Sequence, residues 1–329
     1  MSILVCGGAG YIGSHAVAEL IGRGGKAVVL DNLVKGHRNA IHPDAVFYEG
    51  DLRDDGVLDK VFQENEIKAV IDFGAYSLVG ESMTKPLDYY DNNLYGTMCL
   101  LRSMLKHSIR YIVFSSTAAV YGEPGTIPIP ETEITAPTNV YGETKLAVEK
   151  MLKWFDTAYG IKYAALRYFN VAGAHESGEL GEDHEPETHL IPLVLQAALG
   201  QRECIEIYGT DYPTADGTCI RDYIHVMDLA DAHILALDKL IKDNESAVYN
   251  LGNGKGFSVR QIIETAEKVT GKTIPVKIAP RRAGDPSVLV ASSDKIVREL
   301  GWTPQFSSLE RIIASAWRWH SGHPRGYEG

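Results

Sequence analysis

Along the first half of the chain, short apolar runs alternate with longer amphipathic stretches. The runs at 3–6, 27–30, 46–48, 69–73, 111–114 and 163–167 have strand length and are rich in Val, Ile, Leu, Phe and Tyr. Between them, positions 12–22, 56–65, 86–107 and 139–158 repeat apolar residues at helical spacing. Strand, helix, strand in succession predicts a parallel sheet covered by helices on both faces. Beyond about residue 170 the rhythm loosens, although 221–240 and 248–251 still read like the first half. Two lobes are therefore expected. The larger takes 1–170 plus about 216–254, and the smaller α/β lobe takes 171–215 and 255–329. In the smaller lobe, Ser258 with Gln261 and Ser307 with Glu310 have capping-box spacing. Gly301 reads as a helix C-cap, with Pro304 just beyond.

A length of 329 residues agrees with two lobes better than with one core. The formal charge of −11, without a long basic run, argues against nonspecific binding to nucleic acid or an anionic membrane. No apolar stretch approaches the roughly 20 residues of a membrane span. The first predicted strand starts directly after Met1 and leaves no room for a signal peptide. Cys6, Cys99, Cys204 and Cys219 are scattered and form no CxxC, so they read as buried thiols of a reducing cytosol.

"ILVCGGAGYIGSH" places Gly7, Gly10 and Gly13 between a strand and a helix. Gly7 permits a tight turn, Gly10 lets backbone approach a pyrophosphate, and Gly13 allows close helix–strand packing. The helix N-terminus beyond supplies N–H groups and a favourable dipole for phosphate. Asp31 ends the next strand, where a carboxylate accepts from both ribose hydroxyls and repels a 2′-phosphate. The pattern is that of a Rossmann-type, doubly wound sheet selecting NAD over NADP. Lys35 and Arg38 follow closely and would weaken that selection. Asp51, after the third strand, is placed either to meet an adenine edge or to cap the next helix.

"PTNVYGETKLAVEKML" reads as a helix start with Thr138 or Asn139 near the N-cap. Tyr141 and Lys145, four apart, then share a face. A phenol titrates near 10 and is a poor base at neutral pH. A cation about 4 Å away at an effective dielectric near 20 is worth about 4 kcal/mol, roughly 3 pH units. A Tyr–Lys pair beside a cationic nicotinamide is therefore suited to taking a proton from an alcohol. Ser115, Ser116 and Thr117 close the fifth strand, at the end where open α/β sheets bind ligands.

Glycine loop, Asp31, Ser-Ser-Thr and Tyr-x-x-x-Lys together resemble the extended short-chain dehydrogenase/reductase family. "VGESMTKPLDYYDNN", "LRYFNVAGA", "YGTDYPTADGTCIRDYIHVMDLADAH", "YNLGNGKGFSV" and "RRAGDPS" narrow the resemblance to its UDP-hexose 4-epimerases, nearly end to end. The resemblance implies that Tyr141 removes the sugar 4-hydroxyl proton while hydride passes to NAD. A 4-keto sugar then turns in the site, and hydride returns to its other face. In that reading Thr117 contacts the 4-oxygen and Lys145 holds the nicotinamide ribose. The cofactor set comprises Gly7, Gly10, Tyr11, Ile12, Gly13, Asp31, Asn32, Asp51, Leu52, Phe73, Asn92, Ser115, Tyr141, Lys145 and Tyr168. The UDP-sugar set adds Asn170, His189, Leu190, Tyr208, Arg221, Tyr223, Arg282, Asp285 and Leu289 to Thr117 and Tyr141. A homodimer through a four-helix bundle formed by 86–107 and 139–158 is implied as well, although Tyr89, Tyr95 and Trp154 there serve equally as core.

Departures from the family pattern and rival readings both bear on this reading. Ser77 stands where some members carry a lysine near the cofactor diphosphate. Leu289 stands where residue size governs acceptance of N-acetyl sugars, and leucine is intermediate. A 4,6-dehydratase would carry an Asp-Glu pair after the strand-end hydroxyl, but Ala118 and Ala119 follow Thr117. A non-catalytic NAD sensor can lose the Tyr–Lys pair, which is kept here. An ion pair of Arg221 with nearby Asp222 is an alternative to a phosphate contact. "GEDHEPETH" (181–189) mixes two histidines with acids, but nothing spaces them on one helix face and the chemistry needs no metal, so none is expected.

Overall fold

The structure is a computed structural model and describes residues 2–282 and 285–328. In the first half, β1 (Ser2–Cys6), α1 (Tyr11–Gly22), β2 (Ala27–Asp31), β3 (Val46–Glu49), α2 (Asp55–Glu64) and β4 (Ile67–Asp72) follow in order. Next come α3 (Val79–Ser82), α4 (Pro86–Tyr89), α5 (Gly96–Lys106), β5 (Tyr111–Thr117), α6 (Val140–Tyr159), β6 (Lys162–Tyr168) and β7 (Asn170–Ala172). The second half runs α7 (Leu190–Ala198), β8 (Ile205–Tyr208), β9 (Ile220–Arg221), β10 (Tyr223–His225), α8 (Val226–Asp243), β11 (Ala247–Leu251) and β12 (Phe257–Ser258). It ends with α9 (Val259–Thr270), β13 (Val276–Ala279), β14 (Val288–Leu289), α10 (Asp294–Leu300) and α11 (Leu309–Gly322).

Among the described residues, seven strands form one parallel sheet in the order β11-β6-β5-β4-β1-β2-β3. Its central strands are apolar on both faces because helices cover both. Leu4, Val5, Val70 and Ile71 are all fully buried. One cluster, with Val17, Leu237 and Tyr249, packs α1 and α8 on one face; another, with Leu58, Leu100 and Leu152, packs α2, α5 and α6 on the other. A third cluster draws Ile191 and Ile207 from one chain segment and Ile262, Ile312 and Ile313 from a later one. None of the described helices is long and apolar enough to cross a membrane.

Local chemistry sets most boundaries. Asn139 caps α6 by accepting from the Gly142 N–H, and Gly160 ends it in the left-handed conformation. Ser258 and Gln261 form the expected capping box, and Gly301 ends α10 at positive φ. Ser307 does not cap its helix. Ser308 does, accepting from the Arg311 N–H, because α11 starts with buried Leu309. The expected helix over 86–107 is interrupted: residues 90–95 form a wider π-helical turn. Asn93 within it donates to the Tyr76 carbonyl and to Thr144, and accepts from the Tyr76 N–H. The start of the 221–240 segment is strand, with α8 beginning only at Val226. Cys6 and Cys99 are buried, whereas Cys204 and Cys219 are only half-buried, and all four are free.

Candidate active site

The sheet's C-terminal edge gathers the dinucleotide residues. Gly7 turns the chain at φ +72°, a conformation that favours glycine. A Cβ on Gly13 would lie 2.1 Å from the Gly7 carbonyl oxygen, so only glycine lets α1 start so close to the turn. Gly10 is the N-cap of α1 and no side chain caps the helix, which leaves its end for an anion. Asp31 is 8% exposed; one carboxylate oxygen accepts from the Ala9 N–H and the other from the Leu33 N–H. Each oxygen keeps a lone pair for a ribose hydroxyl. Burial pushes this carboxyl up, and the two N–H groups oppose it. Lys35 donates to the Glu185 carbonyl and Arg38 pairs with Glu49, so neither cation sits ready for a 2′-phosphate. These residues fit NAD.

Other expected cofactor contacts are more committed. Asp51 is not a helix cap, since Asp54 caps α2. One of its oxygens accepts from the Arg53 N–H and Nε, and the other from Arg53 Nη2 and Asn32 Nδ2. All four acceptor positions of the carboxylate are taken, so an adenine amino group would have to displace one. The Arg53 guanidinium holds this carboxyl well below the usual range. Tyr11 donates to the Gly173 carbonyl at 2.7 Å, which ties the start of α1 to the strand β7 region. Ile12 and Leu52 pack on the two sheet-face clusters, Phe73 leans on the His233 ring at 4.7 Å, and Asn92 donates to Asn93.

Tyr141 and Lys145 face the end of β5, as their spacing predicts, and both are buried at 8% and 3% exposure. Their electrostatics differ from the expectation. Burial pushes the Tyr141 phenol up to about 12, with the Thr117 hydroxyl pulling the other way. Lys145 Nζ donates to the Ser115 carbonyl at 2.7 Å and lies over the Phe114 ring. Burial brings Lys145 down to about 8 against the pull of Asp72 and Glu149. The ammonium is thus held by strand β5 and does not lower the phenol in the protein alone. Thr117 accepts from the Ala119 N–H, and Ser115 shares a hydrogen bond with Tyr168.

Beneath this pair lies a buried polar network that the sequence reading missed. Glu149 receives two hydrogen bonds from Arg167, at 2.9 and 2.5 Å, and one from Ser116. Arg167 also donates to the Tyr121 hydroxyl, which donates to Asn250. The available signal was Glu149, one helical turn beyond Lys145 on the same face.

Among the residues expected on the UDP side, Arg221 pairs with Asp285, and Arg282 stacks over the Tyr208 ring at 3.9 Å. The Arg221–Asp222 alternative does not occur. Asp222 accepts instead from the N–H groups of Asn253, Gly254 and Ala291. Tyr208 donates to Glu206, and burial pushes the Tyr223 phenol up beside Arg221 and Asn170. His189 is the N-cap residue of α7 and Leu190 its first residue. Leu289 pairs in register with Arg221 and packs on the cluster of Val120, Tyr121, Ile129 and Leu146. Leu146 belongs to α6, the helix that carries Tyr141.

In the segment 181–189, as expected, no helix presents the histidines and acids; the loop folds so that Glu182, His184, Glu187 and His189 converge. Burial disfavours the charged form of both histidines, yet the two glutamates outweigh it and raise His184 to about 9 and His189 to about 10.

Residues 3–252 match the model of the NAD dependent epimerase/dehydratase family. A UDP-glucose 4-epimerase of Halalkalibacterium halodurans is 59% identical over 327 residues, covering 99% of this chain and 98% of that protein. A crystal structure of a UDP-glucose 4-epimerase superposes with a TM-score of 0.99 at 57% identity, covering 100% of both chains. A UDP-glucose 4-epimerase from Bifidobacterium longum, solved in complex with NAD+ and UDP, gives a TM-score of 0.94 at 42% identity, covering 99% of this chain and 100% of that one.

Proposed function

The chain belongs to the NAD dependent epimerase/dehydratase family, and from that premise we propose that it interconverts UDP-galactose and UDP-glucose by inverting sugar carbon 4 through a transient 4-keto form. The observation that carries this reading is the meeting of Tyr141, Thr117 and Lys145 at the C-terminal end of β5, in the same sheet edge as the uncapped glycine loop. When bound, NAD supplies a reversible hydride acceptor and donor, so no net oxidation occurs. Gly7, Gly10 and Gly13 with the α1 N-terminus hold its diphosphate, and Asp31 its adenosine ribose.

The chain's own residues do the rest. Tyr141 takes the 4-hydroxyl proton on its phenolic oxygen and returns it after the sugar has turned. Thr117 hydrogen-bonds the same sugar oxygen and keeps it facing Tyr141. Lys145, anchored on the Ser115 carbonyl, fixes the nicotinamide ribose beside the phenol. Arg221 and Arg282 meet the substrate diphosphate with forked donors, and Asp285 meets the uridine. Elimination chemistry lacks support, because Ala118 and Ala119 occupy the turn after Thr117.

Exposed Leu87, Tyr90, Tyr95, Met98 and Trp154 lie on or beside the paired helices, while Tyr89 is core. A second copy of the chain covers these apolar residues in a homodimer. Four free thiols suit the cytoplasm as its compartment. The test is direct. Purified protein without added NAD converts UDP-galactose to UDP-glucose, and Tyr141→Phe loses at least about 100-fold of that turnover. Full turnover in Tyr141→Phe would remove the base, and no product at all from the unmodified protein would remove the reaction.

A further inference from the structure

Glu182, His184 and Glu187 have no part in the epimerisation reading, and with His189, which that reading expects on the UDP-sugar side, they form an organised set of donors. One nitrogen or oxygen from each lies within 4.8 Å of all the others. His189 Nδ1 is 2.8 Å from Glu182 Oε1 and 3.1 Å from Glu187 Oε1. His184 Nδ1 is 3.2 Å from the same Glu182 oxygen and 3.6 Å from Glu187 Oε2. A tetrahedral ion with bonds of about 2.0–2.1 Å places its ligand atoms about 3.3 Å apart. With Glu187 Oε2 as the ligand atom, three of these contacts, at 2.8, 3.2 and 3.6 Å, are edges of the set, and they scatter around that length.

Two of these atoms stand at ion-pair distance without the alignment of a hydrogen bond. Glu182 is 4% exposed. Its Oε1 and the His184 Nδ1 are closed off from solvent, and neither makes a hydrogen bond although they are neighbours. Buried polar atoms ordinarily find partners. Two atoms set side by side without alignment are oriented as ligands of a shared cation are. The surroundings hold the donors in place. Glu187 Oε1 accepts from the Thr188 and His189 N–H groups, which fixes the carboxylate and leaves Oε2 turned to His184. Trp319 Nε1 donates to the Glu182 carbonyl, which pins the loop to α11. Outer hydrogen bonds of this kind orient metal ligands.

We propose that Glu182, His184, Glu187 and His189 bind one Zn2+ ion. Two imidazole nitrogens and two carboxylate oxygens suit that borderline ion, and the carboxylates balance its charge. Four protein ligands leave no open coordination position, so the site is structural. It clamps the loop that leads into α7, fixes His189 at the N-cap of that helix, and abuts the start of α1, where the Tyr11 ring meets His184 edge-on at 6.1 Å. The ion thereby ties the dinucleotide helix to the helix that opens the smaller lobe. This inference stands apart from the choice of sugar.

The test uses the full-length protein, stripped with a chelator and titrated with Co2+. The expected result is saturation at one equivalent, with the intense visible bands of a four-coordinate site, followed by displacement with Zn2+. Zn2+ also raises the melting temperature of the stripped protein by about 3 °C or more. Glu182→Gln and His184→Asn each weaken Co2+ binding at least about 10-fold. A folded, stripped protein that gives no such bands and whose melting ignores Zn2+ overturns the proposal without any variant. Bands that persist unchanged in both variants overturn the assignment of ligands.

Discussion

The Tyr141 phenol stands at about 12 in the protein alone. A base for chemistry near pH 7 works best with a pKa near 7, so the assembled site must bring this group down by about 5 pH units, or about 7 kcal/mol. Lys145 can supply part of that. An ammonium about 4 Å away contributes about 4 kcal/mol at an effective dielectric near 20, which leaves about 3 kcal/mol for the cationic nicotinamide. In the protein alone Lys145 makes no such contribution, because its ammonium is held on the Ser115 carbonyl. The perturbation is therefore twofold: strip the cofactor, and replace Lys145 by Met. Tyrosinate absorbance of the unmodified protein minus that of Tyr141→Phe isolates the Tyr141 titration. In stripped protein this difference stays flat below about pH 10. In cofactor-loaded protein kcat/KM rises with pH through a limb near pH 7, and Lys145→Met moves that limb up by about 3 pH units. A tyrosinate forming near neutrality without cofactor refutes the reasoning, as does a limb that Lys145→Met leaves in place.

Gly13→Ala puts a methyl 2.1 Å from the Gly7 carbonyl oxygen and 2.9 Å from the Gly8 Cα, so α1 must shift; purified protein should lose at least about 10-fold of its bound NAD, measured by nucleotide released on denaturation. Glu149→Gln leaves the Arg167 guanidinium buried without its counter-charge, at a cost of about 3–5 kcal/mol. For a chain of 329 residues that lowers the melting temperature by about 4–7 °C, and calorimetry showing no change would mean the pair is freely solvated. Acid should weaken the fold through buried neutral histidines: burial lowers His15 and His233 to about 4 and His225 to about 3. Between pH 6.5 and 4 the unfolded chain binds protons that the folded one refuses, so stability falls as pH falls. Asp228, which burial raises to about 6, works the other way below that pH, as do Asp31, Asp72 and Asp222, which burial also raises, while His320, lowered by burial, adds to the imidazoles. Melting followed from pH 7 to 6, before those carboxyls protonate, should decline; a flat profile there would contradict the burial of these rings.

The parts of the site legible in the sequence are those set by short-range geometry. Asn139 caps α6, so Tyr141 and Lys145 fall one turn apart on one face whatever surrounds them. Gly7, Gly10 and Gly13 answer a demand of the strand–helix turn itself. Where Lys145 ends was not legible, because its long side chain follows the carbonyl at the end of β5, 30 residues away. Arg167 and Glu149 lie 18 residues apart on a strand and a helix, and only the packing of α6 on the sheet joins them. The strands around Arg221 escaped for a related reason: β9 and β14 are two residues each, too short for any alternation to show. The convergence of 181–189 had no periodic signal at all, since a loop brings its donors together without repeating any spacing.

The pairing of Arg221 with Asp285 joins these observations into a statement about substrate entry. Both groups are assigned to the UDP side, yet in the protein alone each is the other's counter-ion, with side-chain exposures of only 15% and 23%. A guanidinium so nearly buried cannot stand unpaired without a penalty of several kcal/mol. The carboxylate therefore holds the charge in place until a diphosphate offers a better forked acceptor. Leu289, in register with Arg221, packs on the cluster that includes Tyr121 and Leu146, the latter on the helix bearing Tyr141. With Arg221 and Asp285 serving UDP as proposed, the two-residue strand β14 lies between that site and the helix of the proposed base.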